Sequence, residues 1–440
     1  MVILDVSIVN VALPSVQRDL GFTDTGLAWV VNGYVLAFAG FMLPGGRAAD
    51  LFGHRRMLVA GLGLFCLASL VAGLANSPEM LVAARAAQGL GGAMLAPATL
   101  AVINTCFPEG PERARAFGAW SASGGVGGMV GAVAGGVLTT GLSWRWVFLI
   151  NVPIGVVLVV VAMSSLTARA GRRESLDLAG ALTGTAGLAS LIYGVMQTAG
   201  HAWGSARVLV PALAGVFLMA AFLVVEKRFA TAPMMPLRLF TNRRVAVSDA
   251  MLLLFGGIAI AMWFFSSLFM QNVLGYGALG AGLGQTPAAV TFVVVARFAA
   301  GWLGRTGVRP LVLTGCGCFV AGFGWLSQSG AGCHYASGVL GPTLLVAVGI
   351  GLVFPTLMAS ATADVEPNDA GVAGGLANAA VQVGGSIALG VYATAAAASS
   401  SPGAPASGYG LVFGLAAGVA LAIAAVSLLP AAPKPAVVVR

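Results

Sequence analysis

Apolar runs of about twenty residues recur along the whole chain, each long enough as a helix to cross a hydrocarbon core of ~30 Å at ~1.5 Å per residue. They fall near 1–17, 27–47, 57–75, 80–105, 115–138, 146–167, 178–197, 207–225, 246–270, 281–302, 310–328, 338–359, 371–395 and 407–429. Strand-like alternation is missing, which argues against a β-barrel. No stretch between the runs is long enough for a soluble domain. The chain has 440 residues, of which 58% are hydrophobic and 8% charged. Ordinary soluble domains are about 25% charged, so water could not solvate this surface. Sixty-three glycines suit close helix packing in lipid.

The basic residues sort the loops into two sides. One side holds Arg47, Arg55, Arg56, Arg113, Arg115, Arg169, Arg172, Arg173, Lys227, Arg228, Arg238, Arg243, Arg244, Arg305 and Arg309, with Lys434 and Arg440 in the tail. The other side holds Arg18, Arg145 and Arg207. This asymmetry places the first side, and both termini, in the cytoplasm. The net charge of +8 then reflects orientation and attraction to anionic lipid rather than a nucleic-acid surface. Arginine far outnumbers lysine, which fits a GC-rich bacterial genome and so a bacterial inner membrane.

Two segments repeat in order. Gly53-His-Arg-Arg-Met-Leu-Val-Ala-Gly61 matches Gly307-Val-Arg-Pro-Leu-Val-Leu-Thr-Gly315, and Gln88 to Pro97 matches Val346 to Pro355. The expected fold is an all-α integral membrane protein of two parallel six-helix halves, 1–167 and 246–430, with an inserted helix pair at 168–228. A cytoplasmic linker at 229–245 and a tail at 431–440 complete it. Parallel repeats of this kind bind substrate near the midplane between the halves.

Four motifs resemble the fourteen-span drug:proton antiporters of the major facilitator superfamily. Leu4-Asp5-Val-Ser-Ile-Val-Asn10-Val-Ala-Leu-Pro14 is similar to that branch's first-span signature. Gly46-Arg-Ala-Ala-Asp50-Leu-Phe-Gly53-His-Arg55-Arg56 resembles the loop motif between spans 2 and 3. Arg85-Ala-Ala-Gln88-Gly89 resembles the fourth-span motif. Gly127, Gly131, Gly135 and Gly136 lie in a segment similar to the fifth-span antiporter motif, with Ala132 where the family has proline. The run Trp144-Arg-Trp-Val-Phe-Leu-Ile-Asn151-Val-Pro153 is also typical of the branch. The resemblance implies proton-coupled export of drug-like molecules by alternating access, with Asp50 and its glycine and arginine neighbours in a gating role. A solvated basic loop that only sets topology is the plainer reading of that loop.

Arg85 stands about six residues inside its span. A charge there is expensive and points to function, although snorkelling to the outer interface is nearly within its reach. Arginine keeps its charge, so it cannot carry the proton, but it can respond when a neighbouring carboxylate titrates. Asp5 is the acid available to it. The first helix, as read, spans about 25 Å, short of the core, and it lacks a basic cytoplasmic flank. That predicts a true start roughly ten residues upstream, which would bring Asp5 near the midplane as the proton carrier. A helix starting at Met1 would leave Asp5 near the cytoplasmic edge, open to water. Asp249, at the start of its span, is a weaker candidate for the proton carrier and reads rather as an interfacial or helix-start residue. Gly127, Gly131 and Gly135 at four-residue spacing predict close helix contact.

Candidate substrate-cavity residues are Asn32, Tyr34, Trp120, Trp263, Phe264, Gln271, Asn378 and Gln382. Such a set suits a lipophilic, cationic small molecule, while interfacial belts and helix packing account for most of the aromatics equally well. The expected partners are that substrate, protons and the bilayer, with the chain monomeric. Cys66, Cys106, Cys316, Cys318 and Cys333 lack metal-site spacing, and neither a cofactor nor a nucleic acid is expected. No phosphate-binding loop and no nucleophile–base pair is present, which disfavours an ATP-driven pump or an enzyme. An exporter dedicated to one endogenous metabolite remains an alternative, as does a channel or sensor.

Overall fold

A computed structural model describes residues 1–106, 111–166, 178–198, 201–202, 204–228, 237–330, 332–363, 365, 370–399 and 405–428. The 431–440 tail, Arg169, Arg172, Arg173, Lys434 and Arg440 lie outside them, as do the side chains of Asp50, Arg113 and Arg115 and the first part of the 229–245 linker.

The described residues form helices and no strands. In order they are α1 (Val2–Leu20), α2 (Asp24–Phe52), α3 (His54–Gly73), α4 (Pro78–Cys106), α5 (Pro111–Gly141), α6 (Trp146–Leu149), α7 (Asn151–Ser165), α8 (Leu178–Gln197), α9 (Ala206–Arg228), α10 (Arg243–Ile260), α11 (Ser266–Asn272), α12 (Ala278–Thr306), α13 (Val308–Leu326), α14 (Gly341–Ala361), α15 (Ala370–Ser399) and α16 (Pro405–Leu428). Among the described residues, nine helical stretches are long and apolar enough to cross a membrane. Large apolar side chains face outward, as on α9, where Phe217 is 73% exposed. Water would penalise that surface; lipid does not.

Local chemistry sets the helix ends. α1 runs three residues beyond the sequence expectation and stops at Gly21, whose left-handed φ of 70° lets its N–H reach the Gln17 carbonyl. Its nineteen residues reach about 28 Å. Near that end, Asp19 Oδ2 accepts from Trp144 Nε1 at 2.8 Å and Arg145 Nη1 at 2.7 Å, tying α1 to the start of α6. Thr23 caps α2 by accepting from the Gly26 N–H at 3.0 Å. Gly53 and Gly307 take φ of 92° and 81° at the turns into α3 and α13, a backbone region that favours glycine. α10 and α11 form one rod joined by a wide helical turn at Ala261–Phe265, which apolar periodicity did not reveal.

The segments α1–α7 and α10–α16 repeat a packing pattern. α1 packs on α5, α2 and α3 on α4, and α3 on α7. Correspondingly, α10 packs on α15, α12 and α13 on α14, and α13 on α16. The glycines matched in the sequence meet in space. A Cβ on Gly91 would lie 3.0 Å from the Gly61 carbonyl oxygen, and one on Gly349 would lie 2.7 Å from the Gly315 carbonyl oxygen. The segments touch where α2 meets α15 and α5 meets α12, and α8 rests on α9, α2 and α15.

Candidate functional site

Six elements of the N-terminal segment converge on one carboxylate. Asp5, the fourth residue of α1, is fully buried. Its Oδ2 accepts from Arg85 Nη1 of α4 at 2.6 Å. Its Oδ1 accepts from Asn151 Nδ2, at the start of α7, at 2.7 Å and from Gln88 Nε2 at 3.3 Å. Helical spacing puts Arg85 and Gln88 on one face of α4, and Gln88 Oε1 accepts from Arg85 Nη1 at 2.9 Å. Gln88 Nε2 also donates to Ser69 Oγ of α3 at 2.7 Å. Arg85 Nε donates to the Val30 carbonyl of α2 at 2.9 Å, and the guanidinium carbon lies 4.3 Å from the Tyr34 ring centre and 5.9 Å from that of Phe148 on α6.

This geometry answers two questions the sequence left open. Asp5 is not at a wet edge, and Arg85, 1% exposed, does not snorkel. Removing either partner of a buried pair strands the other charge, at about 3–5 kcal/mol. Here the pair is compensated by amides, a backbone carbonyl and an aromatic face. Asn151 Oδ1 is buried without a hydrogen-bond partner. An amide with one free acceptor beside a carboxylate is suited to both protonation states: its N–H₂ serves the anion, and after a flip its oxygen can accept from the acid. Gln88 and Asn151 were present in the motif runs without an assigned role, and Ser69 was not singled out. Their only sequence signals were Gln88's i+3 spacing from Arg85 and Asn151's place after the tryptophan-rich run.

The glycine motif on α5 is a contact surface for α1. A Cβ on Gly131 would stand 2.7 Å from the Leu4 carbonyl oxygen, and one on Gly135 2.7 Å from that of Ile8. Gly127 has room, its nearest atom being the Leu4 nitrogen at 3.6 Å. Gly136 faces the other way, where a Cβ would lie 2.5 Å from Leu279 Cα of α12. Ala132, buried with Val11 and Ala278, sits beside Gly282 in the same seam. The α1 backbone that carries Asp5 is therefore seated directly on this glycine face.

In the loop motif, Arg55 Nη2 donates to the Met163 carbonyl near the end of α7 at 2.7 Å, and Arg56 is exposed. A Cβ on Gly46 would make ordinary contact with Pro97 at 3.4 Å.

The cavity candidates divide. Tyr34 and Asn32 are fully buried, and the Tyr34 ring covers Arg85, so Tyr34 belongs to the charge cluster rather than to an open cavity in this conformation. Phe264 is buried edge-on against Phe265. Trp120, Trp263, Gln271, Asn378 and Gln382 are half-buried. The Trp263 carbonyl, within the wide turn, accepts from Gln285 Nε2 of α12 at 2.7 Å, and Gln271 Nε2 donates to Ser267 Oγ at 3.2 Å.

Known proteins resemble this chain over most of its length. It is 46% identical over 435 residues to a cephamycin export protein of Amycolatopsis lactamdurans, covering 98% of this chain and 89% of that protein. It is 38% identical over 401 residues to a puromycin resistance protein of Streptomyces alboniger, covering 90% and 79%. Among solved structures, a peptide transporter in complex with sulfate superposes with a TM-score of 0.69 at 14% identity, over 96% of this chain and 91% of that one, a likeness of fold. The sequence pattern of the Major Facilitator Superfamily matches residues 1–389, and the chain belongs to that family.

Proposed function

We propose that this protein exports drug-like or antibiotic small molecules by alternating access, driven by protons that load Asp5. The observation that carries this reading is the buried Asp5–Arg85–Gln88–Asn151 cluster, a titratable group whose hydrogen bonds join three helices, α1, α4 and α7. Likeness to cephamycin export and puromycin resistance proteins supports the substrate class. The working architecture is fourteen spans, as two six-helix halves (1–167 and 246–430) around an inserted pair at 168–228. It sits in a bacterial inner membrane with both termini in the cytoplasm. The repeated packing of α1–α7 and α10–α16 supports the two halves.

The chemistry follows from the contacts. A proton on Asp5 removes the attraction that holds α1 to α4. Arg85 keeps its charge and its remaining partners, the Val30 carbonyl, Gln88 and the Tyr34 face. The new acid O–H finds an acceptor in the Asn151 amide. α1 is then free to shift along the glycine face of α5, which carries the seam with α12. Loss of the proton restores the ion pair and the starting conformation. Half-buried Trp263, Asn378 and Gln382 are the substrate contacts in this scheme, and Gly46, Asp50, Gly53, Arg55 and Arg56 form the cytoplasmic gate.

A narrower reading, export of one biosynthetic product, is favoured by the 46% identity to a cephamycin export protein. Expression in a sensitised host tests both. Resistance across several unrelated antibiotics that a protonophore abolishes is the expected result, and protection against a single compound selects the narrower reading. Export that persists undiminished without a proton gradient would overturn proton coupling.

A further inference from the structure

Two buried carboxylates, Glu226 of α9 and Asp249 of α10, take no part in this scheme. Asp249 is the seventh residue of α10 and is 6% exposed, so it is not the interfacial residue the sequence suggested. Both of its oxygens are buried, and neither has a hydrogen-bond partner.

Its surroundings follow from helical spacing. Val245, four residues earlier, clusters with Ala373 of α15. Leu253 and Gly256, four and seven residues later, press their backbones against Gly384 and Val381 of α15. Asp249 therefore lies on the α15-facing side, between two close contacts. The described residues of α14, α15 and α16, the main helices packed on α10, include no charged side chain, and their titratable groups are Tyr392 and Tyr409. The Tyr392 hydroxyl lies beside Gly257, two turns farther along. The nearby cations are Arg238 on the turn Leu237–Thr241 and Arg243 and Arg244 on α10 itself; Arg244 Nε points to Ser360 Oγ of α14 at 3.4 Å. Asp364, Glu366 and Asp369, in the α14–α15 connection, lie outside the described residues.

In such a place an unpaired carboxylate charge is far more costly than the neutral acid. We propose that Asp249 is a second proton site, occupied by a proton in this conformation and emptied when α10 moves against α15 and admits water. This rests on the proton-coupled reading above and extends it: each cycle moves one proton through Asp5 and another through Asp249.

The test is the proton-to-substrate ratio in proteoliposomes, measured as the pH gradient that just balances an imposed substrate gradient. Asp249→Asn copies the neutral acid in size and shape. The expected result is continued transport with one proton fewer per substrate than the wild type. A wild type that couples to protons, with an unchanged ratio in Asp249→Asn, overturns this proposal and leaves the reading of Asp5 standing. A wild type that moves no protons overturns both.

A second measurement needs no variant. A lipophilic carbodiimide adds a protonated carboxyl across its C=N bond, and the O-acylisourea formed rearranges to a stable N-acylurea, with no oxidant or reductant. Mass spectrometry of labelled, folded wild-type protein is expected to find the adduct on Asp249 and not on ion-paired Asp5. Labelling of Asp5 alone, or of neither residue, contradicts the proposal.

Discussion

Asp5 and Asp249 occupy comparable places in two similarly packed segments, yet their surroundings differ completely. Each lies near the start of the helix that opens its segment, and each is buried. Asp5 receives donors from Arg85, Gln88 and Asn151, and Asp249 receives none. The register that matches Gly91 with Gly349 puts Thr343 where Arg85 stands and Val346 where Gln88 stands. Thr343 turns its hydroxyl onto its own helix, to the Val339 carbonyl at 2.7 Å. The polar contacts of the C-terminal segment, such as Ser248 Oγ to Ser360 Oγ at 2.9 Å and Gln285 Nε2 to Ser266 Oγ at 3.2 Å, do not reach the Asp249 oxygens, and rings pack the rest: Phe255 lies against Phe319 and Phe354, and Phe323 stacks on Phe413. A buried charge persists only where donors are supplied for it. One segment is thus built to hold a charge and the other to exclude it, and that asymmetry gives a proton a reason to move an otherwise repetitive frame.

The largest expected effect breaks the charged side of this comparison. Arg85→Met strands Asp5 and should cost about 3–5 kcal/mol in unfolding free energy while abolishing uphill transport. Adding Asp5→Asn to Arg85→Met should recover most of that stability without recovering transport. Asp249→Asn, made alone, should change unfolding by less than about 1 kcal/mol. Equal losses in Arg85→Met and Asp249→Asn would erase the distinction between the two segments.

The glycine face comes next. Gly131→Ala and Gly135→Ala push a methyl toward the Leu4 and Ile8 carbonyls and should each cost about 1–3 kcal/mol, with a matching fall in transport rate. Gly127→Ala should be nearly silent in the same assays, since its closest neighbour leaves ordinary contact distance. A uniform response across the three would mean that the motif is generic packing rather than a fitted seat for α1.

Asn151→Leu removes one donor to the carboxylate and the one free acceptor beside it. A loss of about 1–3 kcal/mol is expected in unfolding, with turnover slowed more than substrate affinity. A changed KM at unchanged kcat would instead place Asn151 among the substrate contacts. Smallest of all, Gln382→Ala and Asn378→Ala should raise KM severalfold, about 1 kcal/mol or less, and leave the proton-to-substrate ratio untouched.

Much of the frame was legible because lipid imposes it. Apolar runs located the helices, and Arg85 and Asp5 stood out because charges inside such runs are rare. What escaped was local or neutral. The last turn of α1 carries Arg18 and Asp19, so hydropathy ended the helix early, although Gly21 was the true stop. Gln88, Asn151 and Ser69 have no hydropathy signal that separates a ligand of Asp5 from a packing residue. Tyr34 was read as cavity-lining because aromatic type says nothing of which face it covers. Asp249 looked interfacial because it stands at the start of its apolar run, and the packing of α10 against its neighbours, α15 foremost, buries it.

In the proposed cycle Asp5 loads a proton that drives export. Asp5→Asn keeps the shape and the hydrogen-bond partners of the acid but cannot ionise. The decisive measurement compares two modes of this variant in proteoliposomes with one transported substrate: uphill accumulation against a pH gradient, and downhill exchange without one. Uphill accumulation is expected to fall steeply, to what a proton at Asp249 alone can drive, while exchange continues near the wild-type rate. Uphill accumulation at the wild-type level would show that the driving proton travels elsewhere.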